Sequence, residues 1–172
     1  MLNADRSGAL EARPEGFVRV TQALAALGHP HPPRWLEVSA RTSQEAADAL
    51  GVQAGQIAKS VIFKRKSDAT AVLVVTSGDR RVDEAKVAAL TGPLGRADAA
   101  FVKERTGFTI GGVAPLAHTS TPVTLIDREL FRFDILWAAA GHPNGVFSVS
   151  PQQLAALTGA PVADVTEVAA RA

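Results

Sequence analysis

The sequence predicts an α+β fold: a mixed, mostly antiparallel sheet, curled or closed into a barrel, with helices around it. Strand-like runs occur as hairpins, and helical segments lie among them without the strict β-α-β alternation of a parallel sheet. A length of 172 residues suits one domain with one substantial core. Because 47% of the residues are hydrophobic and 20% are charged, the chain is expected to fold rather than stay disordered. We therefore expect a single domain over residues 1–172.

The N-terminal part predicts a helix followed by a short strand. Apolar residues recur at helical spacing over residues 14–27, and Gly28 supplies a stop. The proline-rich stretch 29–33 lacks most of its backbone donors and predicts an extended connector. Residues 34–39 then predict a strand. We expect the whole segment 14–39 to pack onto the domain that follows.

The remaining elements alternate between helical and strand-like patterns. Capping-box chemistry at residues 42–45 predicts a helix that Gly51 ends. Two β-rich runs, 57–64 and 69–76, are separated by a short polar stretch and predict a hairpin. Further helices are expected at residues 82–90, 97–105 and 151–157, and further short strands at 108–110, 123–126, 134–139, 146–149 and 162–168.

Composition excludes several classes of chemistry. The chain has no cysteine, so disulfides, thiolate nucleophiles, zinc-thiolate sites and iron–sulfur clusters are excluded. Gly107 and Gly112 have the spacing of a phosphate-binding loop, but Val113 and Ala114 stand where lysine and serine or threonine would be needed. The sequence predicts no metal site and no cofactor.

Charge and hydropathy restrict the partners. The 18 basic and 17 acidic residues leave a net charge of +1, so we expect no coating of duplex DNA, and any nucleic-acid contact must come from local clusters at 64–66 and 80–81. Residues 1–10 lack the basic start and apolar run of a signal peptide. No segment has the length and hydrophobicity of a membrane span. We expect a cytoplasmic protein without a membrane partner.

Lys59 interrupts an apolar row. The two-residue period of a strand places Ile57, Lys59, Val61 and Phe63 on one face. An ordinary strand-end lysine that reaches water along its apolar stem explains this pattern. The alternative is a lysine in a cleft, presented to an anionic ligand such as a phosphate.

Two glycine-containing loops are further candidates. Gly111 and Gly112 allow positive φ and close approach by a ligand, and Pro115 restricts the far end of that loop. Its backbone N–H groups could hold an oxyanion, although an ordinary tight turn has the same residues. The second loop, 141–145, would place His142 and Asn144 at the rim of a cleft, unless its Asn-Gly pair only closes a hairpin.

Three stretches together carry a family resemblance. Residues 56–63, 78–83 and 106–115, in that order, resemble the YbaK-type aminoacyl-tRNA deacylases, whose domain also occurs as the editing insertion of bacterial prolyl-tRNA synthetases. The resemblance covers roughly residues 42–165. Its most specific part is the lysine followed by a G-x-x-x-P loop. The turn at 141–145 departs from the Gly-Arg-Arg-Gly form of many members and leaves the amino-acid specificity open.

The resemblance implies an enzyme that hydrolyses mischarged tRNA in trans, with small amino acids on tRNA(Pro) as the expected substrates. Water would attack the ester with help from the 2′-hydroxyl of the terminal adenosine, and no cofactor would be needed. Lys59, Gly111 and Gly112 would be catalytic. Substrate-binding residues would be Ile57, Val61, Val113, Ala114, Pro115, His142 and Asn144. The partners would be the 3′ aminoacyl-adenosine end of the tRNA and an aminoacyl-tRNA synthetase.

Two alternatives remain open on sequence alone. A module that binds a tRNA end or nucleotide without hydrolysing it would also need Lys59 at a cleft. A purely structural interaction domain would leave Lys59 on open surface and would tolerate alanine at Gly112. Release of free amino acid separates the enzyme from both.

Overall fold

The computed structural model describes residues 12–168 of the chain. The helices of this part are α1 Glu15–Ala26, α2 Ser43–Leu50, α3 Glu84–Thr91, α4 Ala99–Thr106 and α5 Pro151–Thr158. The strands are β1 Arg34–Trp35, β2 Ile57–Arg65, β3 Ala71–Ser77, β4 Leu94–Arg96, β5 Val123–Asp127, β6 Leu136–Ala139, β7 Gly145–Val149 and β8 Val162–Ala163. Short 3₁₀ helices occupy Ala54–Gln56 and Arg128–Arg132. No helix among residues 12–168 is long and apolar enough to cross a bilayer.

The helices begin and end at local signals. The Thr42 side chain accepts the N–H of Glu45 at the start of α2, and Ser150 does the same for Gln153 at the start of α5. Gly51 ends α2 in the left-handed conformation. The capping box expected at 42–45 is only half formed, because the Glu45 carboxylate accepts the N–H of Arg41 instead of Thr42.

The eight strands form one mixed sheet. Its order is β1-β7-β6-β2-β3-β5-β8, with β4 beside β2. Four of the strand pairs are antiparallel and three are parallel. The α+β class and the mixed sheet are therefore confirmed. The barrel alternative is wrong, because β1 and β8 lie at opposite ends of the strand order and do not pair.

One edge of β2 is interrupted. β3 pairs along one side of this strand from Ala58 to Lys64. On the other side, β6 pairs with Ile57 and Ala58, and β4 pairs with residues 63–65. Residues 59–62 therefore have no neighbouring strand on that side. Alternate backbone groups of a strand point to each side, so some of their N–H and C=O groups face this gap.

Each face of the sheet has its own hydrophobic core. The larger cluster contains Leu73 and Val75 of β3, together with Phe17, Val20 and Leu24 of α1. The smaller cluster contains the alternate β3 residues Val72 and Val74 with Val87 of α3 and Val165. β3 thus contributes fully buried residues to the cores on both faces of the sheet.

Three strand predictions differ from the structure. The strands expected at 34–39 and 162–168 have only two residues each, Arg34–Trp35 and Val162–Ala163. Residues 108–110 form no strand, because Phe108 is buried directly after α4 and its N–H is bonded to Thr106 Oγ1. The chain then turns at once, with the N–H of Gly112 bonded to the Thr109 carbonyl. β4 was not predicted, because three residues are too few to show alternation.

Candidate active site

A cavity of about 650 Å³ opens at the gap beside β2. Residues 57–62 form one wall, and β6 forms another. The start of α2, the loop around Gly111, the loop around His142 and Val102 of α4 also line it. A cavity of this volume has the size of a typical small-molecule site. The interrupted pairing of β2 thus creates a pocket that reaches into the edge of the sheet.

Lys59 lies in this pocket as a half-buried cation. Burial lowers the pKa of its ammonium group, and the nearby Arg81 cation lowers it further. Its Nζ donates to the Arg80 carbonyl at 3.4 Å. No carboxylate of the described residues forms an ion pair with it. A desolvated cation without a counterion is stabilised when an anionic ligand enters.

The face expected for Lys59 agrees with the register of the hairpin. Lys59, Val61 and Phe63 pair with Thr76, Val74 and Val72 of β3. Residues 57–62 all line the pocket, so residues of both strand faces reach it. Phe63 instead packs against the smaller core.

The charged side chains that line the pocket are cations. Its lining residues, within the part of the chain that the structure describes, include no aspartate or glutamate. The cations are Lys59 and Arg41, and hydroxyl groups come from Thr42, Ser43 and Ser60. Thr42 and Ser43 mark the start of α2, where the helix dipole adds positive potential. The sequence predicts the helix start from the cap at Thr42 but does not predict that it faces the pocket.

The loop of residues 111–115 contributes to the pocket with only part of its length. Gly111, at φ +95°, and Val113 line the cavity. Their N–H groups donate to no other protein atom in the described structure. Ala114 does not line the cavity, and its carbonyl accepts from His118 Nε2 at 2.6 Å. Pro115 does not line this pocket either, and it instead lines a second cavity of about 630 Å³.

Gly112 is required for packing between two loops. A Cβ at this position would lie 2.8 Å from the Cα of His142 and 2.9 Å from its N. The close approach is therefore to the neighbouring backbone and not to a ligand. Its N–H is already bonded to Thr109, so it is not free to bind an oxyanion.

His142 and Asn144 have different surroundings. The His142 ring lines the pocket and stacks on Trp35, with ring centroids 4.9 Å apart. Burial lowers the pKa of His142, and its Nδ1 accepts the N–H of Asn144. The Asn144 side chain points elsewhere: it donates to the Leu36 carbonyl and accepts from Ser39 Oγ. Asn144 thus fixes the segment after β1 and does not line the pocket.

His29, in the proline-rich connector, and two arginines of the basic clusters are already engaged within the protein. His29 Nε2 bonds to the Ser148 carbonyl, and no group of three potential metal ligands occurs within residues 12–168. Arg65 is paired with Asp68 and Arg80 with Glu129. These two arginines therefore have carboxylate partners within the protein.

Comparisons with known proteins identify the family. The family model described as "Aminoacyl-tRNA editing domain" matches residues 37–157. The chain is 34% identical over 119 residues to the uncharacterised protein YwhH of Bacillus subtilis (strain 168), covering 69% of this chain and 75% of YwhH. It is 31% identical over 94 residues to the proline–tRNA ligase of Thermoanaerobacter sp. (strain X514), covering 52% of this chain but 16% of the ligase.

A solved structure agrees with these matches. It is the structure of a candidate trans-editing enzyme for prolyl tRNA synthetase, and it superposes with a TM-score of 0.85 at 39% identity. The match covers 91% of this chain and 100% of that one. The resemblance found in the sequence is therefore confirmed, and the protein belongs to the aminoacyl-tRNA editing domain family.

Proposed function

We propose that the protein is an aminoacyl-tRNA deacylase that acts in trans. Its substrate would be a tRNA, with tRNA(Pro) expected, that carries a small, wrong amino acid. The observation that carries this proposal is the desolvated Lys59, which shares a pocket free of carboxylates with Gly111 and Val113, whose N–H groups have no acceptor among the described residues. Membership of the editing family and similarity to a trans-editing protein and to a proline–tRNA ligase support it.

The charge of the pocket suits the terminal adenosine of a tRNA. Lys59 would bind the phosphate or ribose side of this nucleotide, and the ligand would replace the counterion that the protein does not supply. Arg41 and the start of α2 would add to the attraction from the opposite wall. These contacts would hold the ester in a defined position relative to the loop at Gly111.

The reaction would proceed by positioned water and not by a side-chain nucleophile. A water oxygen bonds to the ester carbonyl carbon, the bond from this carbon to the ribose oxygen breaks, and the proton lost by the water ends on that ribose oxygen. The adenosine 2′-hydroxyl assists the proton transfer. The N–H groups of Gly111 and Val113 stabilise the oxyanion that develops. Catalysis would therefore come from orientation and from backbone electrostatics.

Selectivity would come from the apolar part of the lining. Ile57, Val61, Val102 and Ala138 bring aliphatic groups to the pocket. Such a wall discriminates by about 1–3 kcal/mol per methylene. We therefore expect the rate to fall as the attached side chain grows. A cationic side chain is also disfavoured, since the pocket offers no carboxylate.

A panel of mischarged tRNAs incubated with the purified protein tests the proposal. Release of alanine, serine or cysteine from tRNA(Pro), with slower release of phenylalanine and glutamate, is the expected result. Lys59→Ala serves as the inactive control. Binding of the same tRNAs without release of amino acid would instead identify a tRNA-end binding module.

A further inference from the structure

The segment that follows the G-x-x-x-P loop contains a strained residue. Ala117 has φ +63°, and it is one of two residues other than glycine in the described chain with positive φ. A side chain with a Cβ is disfavoured in this left-handed region by about 1–2 kcal/mol. Such a conformation persists only where surrounding contacts hold it, and it often occurs near functional sites.

Arg19 of α1 supplies those contacts. Its Nε donates to the Ala117 carbonyl at 2.8 Å, and its Nη2 donates to the Thr106 carbonyl at 3.1 Å. The guanidinium also lies 4.3 Å from the centroid of the Phe108 ring. Glu15, one turn earlier, binds the remaining Nη1 at 2.7 Å. A single side chain therefore connects the two ends of the segment 106–117, which carries the loop.

His118 supports the same segment from inside. Its Nε2 bonds to the Ala114 carbonyl, and its ring packs edge-on against Phe108 with centroids 5.4 Å apart. Phe108 is 1% exposed. Arg19 and His118 thus both pack on one buried ring and each hold one carbonyl beyond Val113.

Helix α1 also contacts the second loop of the pocket. The backbone of Gly16 packs directly on that of Gly141, and neither position has room for a Cβ. α1 therefore contacts the two ends of the segment that carries the Gly111 loop and the first residue of the second loop. The family model begins at residue 37, so this helix lies outside the part of the chain that the family shares by sequence.

We propose that α1 is a positioning element for the pocket, and that Arg19 holds Ala117 in its left-handed conformation so that Gly111 and Val113 present their N–H groups to the ester. This inference rests on the proposed deacylase function. Arg19 acts through Ala117 and touches no substrate. Without the Arg19 side chain, Ala117 relaxes to a negative φ. The N–H groups of Gly111 and Val113 are then not held in a fixed orientation before substrate binds.

A set of variants at two positions tests this role. Arg19→Ala should lower kcat for mischarged tRNA by about a hundredfold with KM unchanged, because displacement of reacting groups by about 1 Å has an effect of this size. Arg19→Lys keeps one donor group but lacks the planar guanidinium that donates to both the Ala117 and Thr106 carbonyls, so it should recover only part of the rate. Gln22→Ala, an exposed change on the same helix, is the matched control and should leave kcat unchanged.

Ala117→Gly separates positioning from other roles. Glycine adopts positive φ freely, so this variant should keep near wild-type activity. When Arg19→Ala is combined with Ala117→Gly, the loss of kcat should be several-fold smaller than when Arg19→Ala is made in the wild-type protein.

Leu24→Ala is a control for stability. It removes a buried apolar side chain of α1 and should lower the thermal midpoint without a comparable loss of kcat. Exchange of the Gly112 amide, bonded to Thr109 in the wild type, should accelerate in Arg19→Ala.

Several results would overturn the inference. An unchanged kcat in Arg19→Ala would do so, as would an effect confined to KM, which would assign Arg19 to tRNA binding. Equal loss of kcat in Leu24→Ala and Arg19→Ala at matched midpoints would show general destabilisation instead. If the wild type releases no amino acid, the proposed function fails on its own. Hydrogen exchange of the Gly112 amide still tests the positioning role in that case, because an unchanged exchange rate in Arg19→Ala would refute it.

Discussion

β2 and β3 are partners in one hairpin but have opposite surroundings. All seven residues of β3 are buried, and strands pair with it on both sides. In β2 only Ile57 and Ala58 are buried, and the far side of the strand is open at residues 59–62. The buried strand organises the two cores, whereas the interrupted strand carries the desolvated lysine and the pocket. If the proposed function is right, the residues of the reaction lie on β2, and the most completely buried strand lies beside them.

The largest expected effect is on β2. Lys59→Ala should reduce single-turnover deacylation at saturating mischarged tRNA by several orders of magnitude. A charge-assisted contact explains about 1.5–3 kcal/mol of this, and misplacement of the ester explains the remainder. Rates indistinguishable from wild type would show that Lys59 is an ordinary strand lysine.

Removal of the Lys59 charge should raise the stability of the protein although it lowers the activity. The pKa of Lys59 is lowered in the folded protein, so its charged form is less stable there than in the unfolded chain. Lys59→Met keeps the apolar stem and removes the charge. It should therefore raise the thermal midpoint at pH 7 while abolishing activity. A lower midpoint would contradict the desolvation of this lysine.

Gly112 tests the contact between the two pocket loops. Gly112→Ala should lower both turnover and the thermal midpoint, because its Cβ would press on the backbone of His142. Gly95→Ala is the matched control, since a Cβ there meets its nearest atom at an ordinary 3.6 Å. Melting curves and deacylation rates of the two variants provide the comparison. A fully stable and active Gly112→Ala protein would disprove the close packing.

On β3 the expected effect is on stability alone. Leu73 is fully buried in the larger core, so Leu73→Ala should lower the free energy of unfolding by about 2–5 kcal/mol. Below its melting transition the variant should retain deacylase activity, because Leu73 does not line the pocket. Loss of activity in the folded variant would mean that the two strands are not functionally separate.

The smallest effect concerns pH. Burial lowers the pKa of His118 below its usual value near 6.5, and the nearby Arg19 cation adds to this. The unfolded chain then binds more protons, so the stability linked to His118 is present above that value and is lost as the pH falls. Urea denaturation between pH 7.5 and 5 should show a steeper loss in wild type than in His118→Gln. An equal loss of unfolding free energy in both proteins as the pH falls would exclude this linkage.

The candidate site could be anticipated only in part. The position of Lys59 on its strand face followed from the two-residue period, and the residue type of Gly111 permits its positive φ, although the adjacent Gly112 does not adopt one. The surroundings of Gly112 and Asn144 did not follow, because they depend on which loop packs beside each residue. The contribution of Arg41 needed knowledge of where α2 starts relative to β2.

The sequence by itself determined the local features of this protein: the caps at Thr42 and Ser150, the glycine helix stop at Gly51 and the β2–β3 hairpin. Each depends on residues a few positions apart, whose hydrogen bonds and φ preferences are set by residue type. Tertiary structure decided the open edge of β2 and the contact from Arg19 to Ala117, 98 residues away. These arise from packing among distant elements, and no local preference specifies which distant partner a side chain or strand edge will meet.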